Sequence, residues 1–121
     1  LHSESVLITD ETAEAVNVAK RSGRPIIAVG TTTTRTLEAF ACDGMIESGA
    51  GKTDIFIFPP YEFQIVDHLI TNFHLPKTSL LLLVDAFLQH KGAKKNVMEL
   101  YRIAIENRFA FYSFGDSMLI L

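Results

Sequence analysis

The sequence predicts an α/β fold, a mostly parallel sheet with flanking helices, on three observations. The first fifty residues read helix, strand, tight turn, helix, which is the rhythm of a parallel sheet. Ile26-Ile27-Ala28-Val29 is a short continuous apolar run of the kind that forms a strand buried on both faces. Apolar types make up 48% of the 121 residues and charged types 21%. That balance excludes a disordered, collagenous or low-complexity chain. A chain of this size can bury roughly two thirds of its unfolded surface, enough for a core. Residues 1–121 are therefore read as a single α/β domain fragment, with no linker or repeat.

The elements follow in order. Thr9 or Asp10 can cap a first helix through its side-chain oxygen. Ala13, Val16 and Ala19 then share a face, and Lys20, Arg21 and Gly23 are exit signals before Arg24-Pro25. After the strand at 26–29, Gly30 allows a sharp turn into Thr31-Thr32-Thr33-Thr34-Arg35, and Leu37, Phe40 and Ala41 carry helical spacing. Residues 43–53, with Gly44, Gly49 and Gly51, read as loop. Asp54-Ile55-Phe56-Ile57-Phe58 reads as a second apolar strand stopped by Pro59-Pro60. Phe63 to Val66 and Leu69 to Phe73 read as a pair of strands around Asp67-His68, or as one irregular strand. Pro76 sits where a first helical turn tolerates it. Leu80 to Leu88 is apolar nearly all round and predicts a buried helix ended by Gly92. Asn96 with Glu99 resembles a capping box, and Val97, Leu100, Tyr101, Ala104 and Ile105 form the inward stripe of a last helix. Phe111 to Phe114 and Met118 to Leu121 read as strands separated by a Gly115-Asp116 turn.

Charge and composition narrow the function. The formal net charge is −3 and the pI near 5.8, which argues against a wholly basic nucleic-acid wrapper and leaves room for a local basic patch. The lone Cys42 excludes an internal disulfide framework and a cysteine-only zinc site. His68, His74 and His90 lack a metal-ligand spacing, so no metal is expected. The longest apolar run, Leu80 to Val84, is far short of the roughly 20 residues a membrane helix needs, and no signal peptide opens the chain. A cytoplasmic protein that contacts no membrane is expected. The opening at Leu1, the apolar close Met118-Leu119-Ile120-Leu121 and the mean hydropathy of +0.22 predict a piece of a larger or processed protein. The alternative is a small, well-buried α/β protein.

Five places can carry chemistry. Four β-branched threonines make a poor helix interior. At a terminus, however, the hydroxyls and unpaired amides of Thr31 and Thr32 can face a ligand. Arg35, one turn in, can add a bidentate anion contact. A carboxylate, ribose or phosphate site at the strand's carboxyl end is one reading, and ordinary threonine capping explains the pattern equally well. Ile46-Glu47-Ser48-Gly49-Ala50-Gly51-Lys52-Thr53 is not a P-loop: Ile46 stands where glycine is required, and the segment runs into a strand-like stretch instead of a helix. Thr71-Asn72-Phe73-His74-Leu75-Pro76-Lys77-Thr78-Ser79 is the densest polar cluster. Asn72 offers donor and acceptor, and His74 can move a proton near neutral pH. Lys77 is a cation at a helix start, where the macrodipole disfavours it and an anionic partner would offset it. A structural His74 and a solvated Lys77 remain the plainer alternative. His2 and Glu4 share a face of an extended start and can form a proton-handling pair. Asp116 is either a turn residue or a ligand for a ribose or an amine. Lys91, Lys94 and Lys95 make a solvated helix junction or a contact for a nucleic-acid backbone.

Five blocks carry a resemblance. They are His2-Ser3-Glu4, Ala28-Val29-Gly30-Thr31-Thr32-Thr33-Thr34-Arg35-Thr36-Leu37-Glu38, Thr53-Asp54-Ile55-Phe56-Ile57, Leu69-Ile70-Thr71-Asn72-Phe73-His74-Leu75-Pro76-Lys77 and Phe114-Gly115-Asp116-Ser117-Met118-Leu119-Ile120. In this order they resemble the S-adenosylmethionine:tRNA ribosyltransferase-isomerases of queuosine biosynthesis. The similarity spans essentially the whole chain and corresponds to about the last third of a family member. Departures are few: Thr33-Thr34 for an expected Ser-Val, Pro60 for Gly, Thr78-Ser79 for the reverse order, and an acidic Asp85.

The resemblance implies that S-adenosylmethionine, as co-substrate, gives its ribosyl group to 7-aminomethyl-7-deazaguanine in tRNA. The product would be epoxyqueuosine, with adenine and methionine released. It implies the carboxyl-terminal part of the family's major α/β domain, without the inserted β-barrel, and an amino-terminal part of the same enzyme as partner. His74 would be the base that removes a 5′ hydrogen acidified by the sulfonium, or a later general acid, with His2 its competitor. Asn72 and Asp116 would hold the ribose or the aminomethyl ammonium. Thr31, Thr32 and Arg35 would take the methionine carboxylate or a tRNA phosphate, and Glu4 and Lys77 would also bind substrate. The alternative is a module that binds ligand or tRNA without turnover.

Overall fold

A computed structural model describes residues 3–74, 78–110 and 116–121. The chain runs β1 (Glu4–Ile8), α1 (Asp10–Arg21), β2 (Ile27–Val29), α2 (Thr31–Ala39), β3 (Ala41–Cys42), β4 (Met45–Ile46), β5 (Gly49–Thr53), β6 (His68–Asn72), α3 (Ser79–His90), α4 (Val97–Glu106) and β7 (Ser117–Ile120). Thr9 caps α1, its hydroxyl accepting from Thr12 N–H at 3.1 Å, and Asn96 caps α4 by accepting from Glu99 N–H at 2.9 Å. Both oxygens satisfy amides that the helix itself leaves unpaired. Asp85, the acidic departure on α3, accepts from Val97 N–H at 3.1 Å and so ties α3 to the first turn of α4.

The sheets are mixed, which corrects the mostly parallel expectation. β2 and β6 are parallel, with Ile27 opposite His68 and Val29 opposite Ile70. β7 then joins the other edge of β6 antiparallel, Leu69 opposite Ile120 and Asn72 opposite Ser117. β1 pairs antiparallel with β5 in a separate ribbon, and β3 pairs antiparallel with β4. The helix–strand–helix rhythm at the start does produce a parallel pair. The later strands come back along neighbours already in place, and the apolar pattern carries no information on their direction.

Further expectations change, among them the helical spacing read through Ala41: α2 ends at Ala39 and Ala41 opens β3. Residues 43–53 are not loop: Asp43 and Gly44 both have positive φ, 51° and 80°, the requirement of a two-residue hairpin turn between β3 and β4. Gly49–Thr53 then pairs with β1. The stretch 54–58 is extended without a ladder, Ile57 buried and Phe56 and Phe58 exposed. Phe63 to Val66 is not a strand either, because its amides are spent elsewhere. The buried Glu38 carboxylate accepts from Gln64 N–H and Ile65 N–H, both at 2.9 Å, and from Val66 N–H at 3.1 Å. Tyr61 donates its hydroxyl to the same group at 3.3 Å. Burial first, then the Glu38 charge and this hydrogen bond, push the Tyr61 hydroxyl up to about 12, so it stays a donor. On α4, Ile105 faces solvent instead of joining the stripe. The expected strand 111–114, Gly115 and Pro76 lie outside the described residues.

The strand at 26–29 is buried on one face only. Ala28, Leu69 and Ile120 enter the core with Leu83, Val84 and Phe87 of α3 and Val97, Tyr101 and Ala104 of α4. On the opposite face Ile27 is 52% exposed, Val29 64% and Leu119 56%. Among the described residues no helix is long and apolar enough to cross a membrane.

Removing the Glu38 acceptor tests the loop arrangement. Glu38→Ala strands the buried amides of Ile65 and Val66 and releases the part-buried amide of Gln64, and should cost about 2 kcal/mol or more, since each unmet buried donor costs about 1–3 kcal/mol. Glu38→Gln, which keeps one acceptor oxygen, should fall between. A urea midpoint unchanged in Glu38→Ala would refute the role.

Candidate functional site

The site is built at the carboxyl ends of the parallel pair. Gly30 continues the ladder, donating its N–H to the Ile70 carbonyl at 2.8 Å, and then turns the chain at φ 96° and ψ 152°. A side chain would be strained there. As N-cap of α2, Gly30 brings no capping side chain. The first-turn amides of α2 therefore have no side-chain cap, at the end of the helix that favours negative charge. Two threonines of α2 spend their hydroxyls on the preceding turn, Thr34 hydroxyl donating to the Gly30 carbonyl at 3.0 Å and Thr36 hydroxyl to the Thr32 carbonyl at 2.8 Å.

A cavity of about 310 Å³ lies against this turn, lined by Val29, Gly30, Thr31, Thr32, Thr33, Ile70, Thr71, Asn72, His74 and Ser117. The threonine turn, the Asn72 carboxamide with the His74 imidazole, and the Ser117 hydroxyl meet there from three separate stretches. Asn72 accepts from the Ser117 hydroxyl at 3.1 Å through its Oδ1. That bond crosses the β6–β7 pairing and orients the carboxamide. The His74 ring bonds the Thr71 hydroxyl through Nε2 at 2.9 Å. Its backbone N–H donates to the Tyr101 hydroxyl at 2.6 Å. Tyr101 itself stacks edge-on against Phe73, ring centroids 5.4 Å apart. Burial lowers the His74 pKa below its ordinary 6.5, so at neutral pH the imidazole is uncharged and able to take a proton.

The other expected residues fall as follows. Thr31, Thr32, Asn72 and His74 line the cavity. Arg35 and Glu4 do not: the buried Arg35 forms an ion pair with Glu4 through Nη1 and donates from Nε to the Ile55 carbonyl at 3.3 Å. The second Glu4 oxygen accepts from the Thr32 hydroxyl at 3.1 Å. Arg35 and Glu4 thus brace the cavity's threonine wall from behind. Asp116 is exposed and accepts from Ala110 N–H at 2.6 Å, one position before the cavity residue Ser117. His2 and Lys77 lie outside the described residues. Gly51-Lys52-Thr53 sits in β5 with no helix following, unlike a P-loop. Among the described residues no three His, Cys, Asp or Glu side chains gather as metal ligands. Sequence reasoning missed Tyr101 and Ser117 at the site. A tyrosine within an apolar stripe was the available signal, because its buried hydroxyl needs a partner.

An α/β unit with a cavity at the carboxyl ends of its parallel strands, under a helix start lacking a side-chain cap, has the arrangement in which open α/β sheets commonly hold ligands. The family described as "Queuosine biosynthesis protein" matches residues 1–120, and the chain belongs to this family. It is similar to the S-adenosylmethionine:tRNA ribosyltransferase-isomerase of Caldanaerobacter subterraneus, 50% identical over 122 residues, covering 100% of this chain and 35% of that protein. It is likewise similar to the Carboxydothermus hydrogenoformans protein of the same name, 51% identical over 121 residues with the same coverages. Among solved structures it resembles the S-adenosylmethionine tRNA ribosyltransferase of Thermotoga maritima, with TM-score 0.85 and 49% identity over 97% of this chain and 40% of that one. The chain spans about a third of the length of the curated relatives it matches.

The depressed His74 pKa sets a pH dependence. The unfolded chain takes up this proton more readily than the folded one, so the contribution to stability is full above pH 6.5 and fades as pH falls through the lower folded value. Denaturant midpoints should drop between pH 7.5 and pH 5, and His74→Gln should flatten that slope. A slope identical in the two proteins would remove His74 as its source.

Proposed function

We propose that this chain is the carboxyl-terminal portion of a cytoplasmic enzyme that transfers and isomerises the ribosyl group of S-adenosylmethionine onto 7-aminomethyl-7-deazaguanine in tRNA. Adenine and methionine are released and epoxyqueuosine is formed. The single observation that carries this reading is the meeting of His74 with the α2 threonine turn in one cavity. The donor is a sulfonium, which acidifies the hydrogens on its adjacent 5′ carbon. A neutral imidazole is a base of suitable strength to remove one at neutral pH. The anionic end of the donor, its methionine carboxylate, matches the amides of Thr31 and Thr32 and the Thr31 hydroxyl at the positive end of α2, the Thr32 hydroxyl being given to Glu4. A tRNA phosphate is the alternative occupant of that turn. Asn72, oriented by Ser117, holds a ribose hydroxyl or the acceptor's ammonium, with Asp116 adjacent. Arg35 acts at one remove, through Glu4 and Thr32. Lys77, three positions after His74 in the sequence, supplies an anion contact, and His2 is the second candidate for the proton transfer.

His74→Ala in the full-length enzyme should slow adenine release with acceptor tRNA about a hundredfold or more, the scale of a lost general base. Wild-type turnover with normal substrate binding would end the assignment.

A second reading applies to the 121 residues on their own, and the open sheet face favours it. Val29 and Ile70 both line the cavity and lie on the face where Ile27, Val29 and Leu119 are exposed. The cavity is therefore unwalled on the side where the rest of the family's chain, its amino-terminal part, is proposed to pack. The isolated chain is a single α/β domain fragment that binds ligand or tRNA and does not turn over. It should release no adenine alone, and gain activity when the amino-terminal two thirds of a relative is supplied in trans. Turnover by the chain alone would refute this.

A further inference from the structure

The imidazole of His74 has two nitrogens, and the surroundings decide which of them is basic. Nε2 lies 2.9 Å from the Thr71 hydroxyl. That hydroxyl lies 3.3 Å from the Asn72 carbonyl, which can only accept. Thr71 is 2% exposed, so its one hydroxyl proton must be placed among these neighbours. If it goes to Nε2, the contact to the Asn72 carbonyl carries no proton and the hydroxyl oxygen accepts nothing. If it goes to the carbonyl, the oxygen is free to accept from an Nε2–H, and both contacts become hydrogen bonds. Buried polar groups adopt the arrangement that satisfies most partners. The residue is held at its other end as well. Its backbone N–H donates to Tyr101, whose ring packs against Phe73.

We propose that Thr71 is a positioning residue that fixes His74 as the Nε2–H tautomer and so makes Nδ1 the nitrogen that takes the proton. No hydrogen-bond partner among the described residues engages Nδ1, and His74 lines the cavity. The inference rests on the reading of His74 as the base, and it adds which atom acts and which hydroxyl selects it. A second-neighbour hydroxyl governing the tautomer is the same physics by which hydrogen bonding at one ring nitrogen sets the state of the other.

Nitrogen NMR of the chain labelled in histidine, at a pH where His74 is neutral, tests this directly. The His74 signals are assigned by their loss in His74→Gln. The expected pattern is a pyridine-type shift on Nδ1 and a pyrrole-type shift on Nε2. In Thr71→Val, which keeps the shape and removes the hydroxyl, the two signals should move toward one another as the tautomers mix. Thr71→Ser should restore the separation, which a purely packing role would not produce. A pyridine-type Nε2 in the wild type overturns the proposal, as does a spectrum unchanged in Thr71→Val. The two readings fail separately. The expected tautomer together with full turnover in His74→Ala removes the reaction assignment and leaves Thr71 as the tautomer's determinant. The opposite tautomer removes Thr71 whatever the turnover.

Discussion

The hydrogen bond from Gly30 N–H to the Ile70 carbonyl, 2.8 Å long, is the contact on which the candidate site depends. It is the last rung of the parallel pairing of β2 with β6, and it is made by the residue that turns the chain into α2. Backbone geometry at that point requires φ 96°, which glycine adopts without strain. The sheet ladder and the start of the helix are thereby locked to each other. The threonine amides then stand beside the end of β6, where Thr71, Asn72 and His74 follow. No side chain of the site sets this spacing.

A second layer of polar contacts holds the walls. Arg35 is buried, and its guanidinium answers to the Glu4 carboxylate and the Ile55 carbonyl. Glu4 is partly exposed and Arg35 buried, so it is loss of Glu4 that would leave an uncompensated buried charge behind the wall that carries Thr32. Glu38 holds residues 61–66, replacing a strand ladder with one carboxylate that takes three amides. Helix α2 thus presents two charged residues to irregular backbone on either side of it, and that is why segments with strand-like patterns can run as coil without leaving amides unmet.

The helices were legible in the sequence because their signals are local: the Thr9 and Asn96 caps, the apolar stripe of α4 and the Gly30 turn all act within one or two turns. Strand direction was not legible, because apolar alternation is the same for a parallel and an antiparallel neighbour. The strands expected at 54–58 and 63–66 failed for a related reason. Their composition suits a ladder, and only the distant Glu38 reveals where the amides go. The Asp43-Gly44 hairpin was readable in principle, and the surrounding glycines disguised it as loop. At the site, His74, Asn72 and the threonines stood out as polar residues next to apolar runs. Tyr101 did not, because its hydroxyl works from within a core stripe. Arg35 and Glu4 stood out for their charge, which proved to be spent on each other.

The bare face of the three-stranded sheet has a further consequence. β2 and β7 are its margins, each with a ladder partner on one side only among the described residues. Rungs left open beside a greasy surface form a template that accepts any extended segment of similar character. Concentration and salting-out agents would therefore favour lateral stacking of separate copies wherever those edges stay uncovered. Solubility of this stretch in isolation is governed by how well that template is blocked, more than by its modest negative charge.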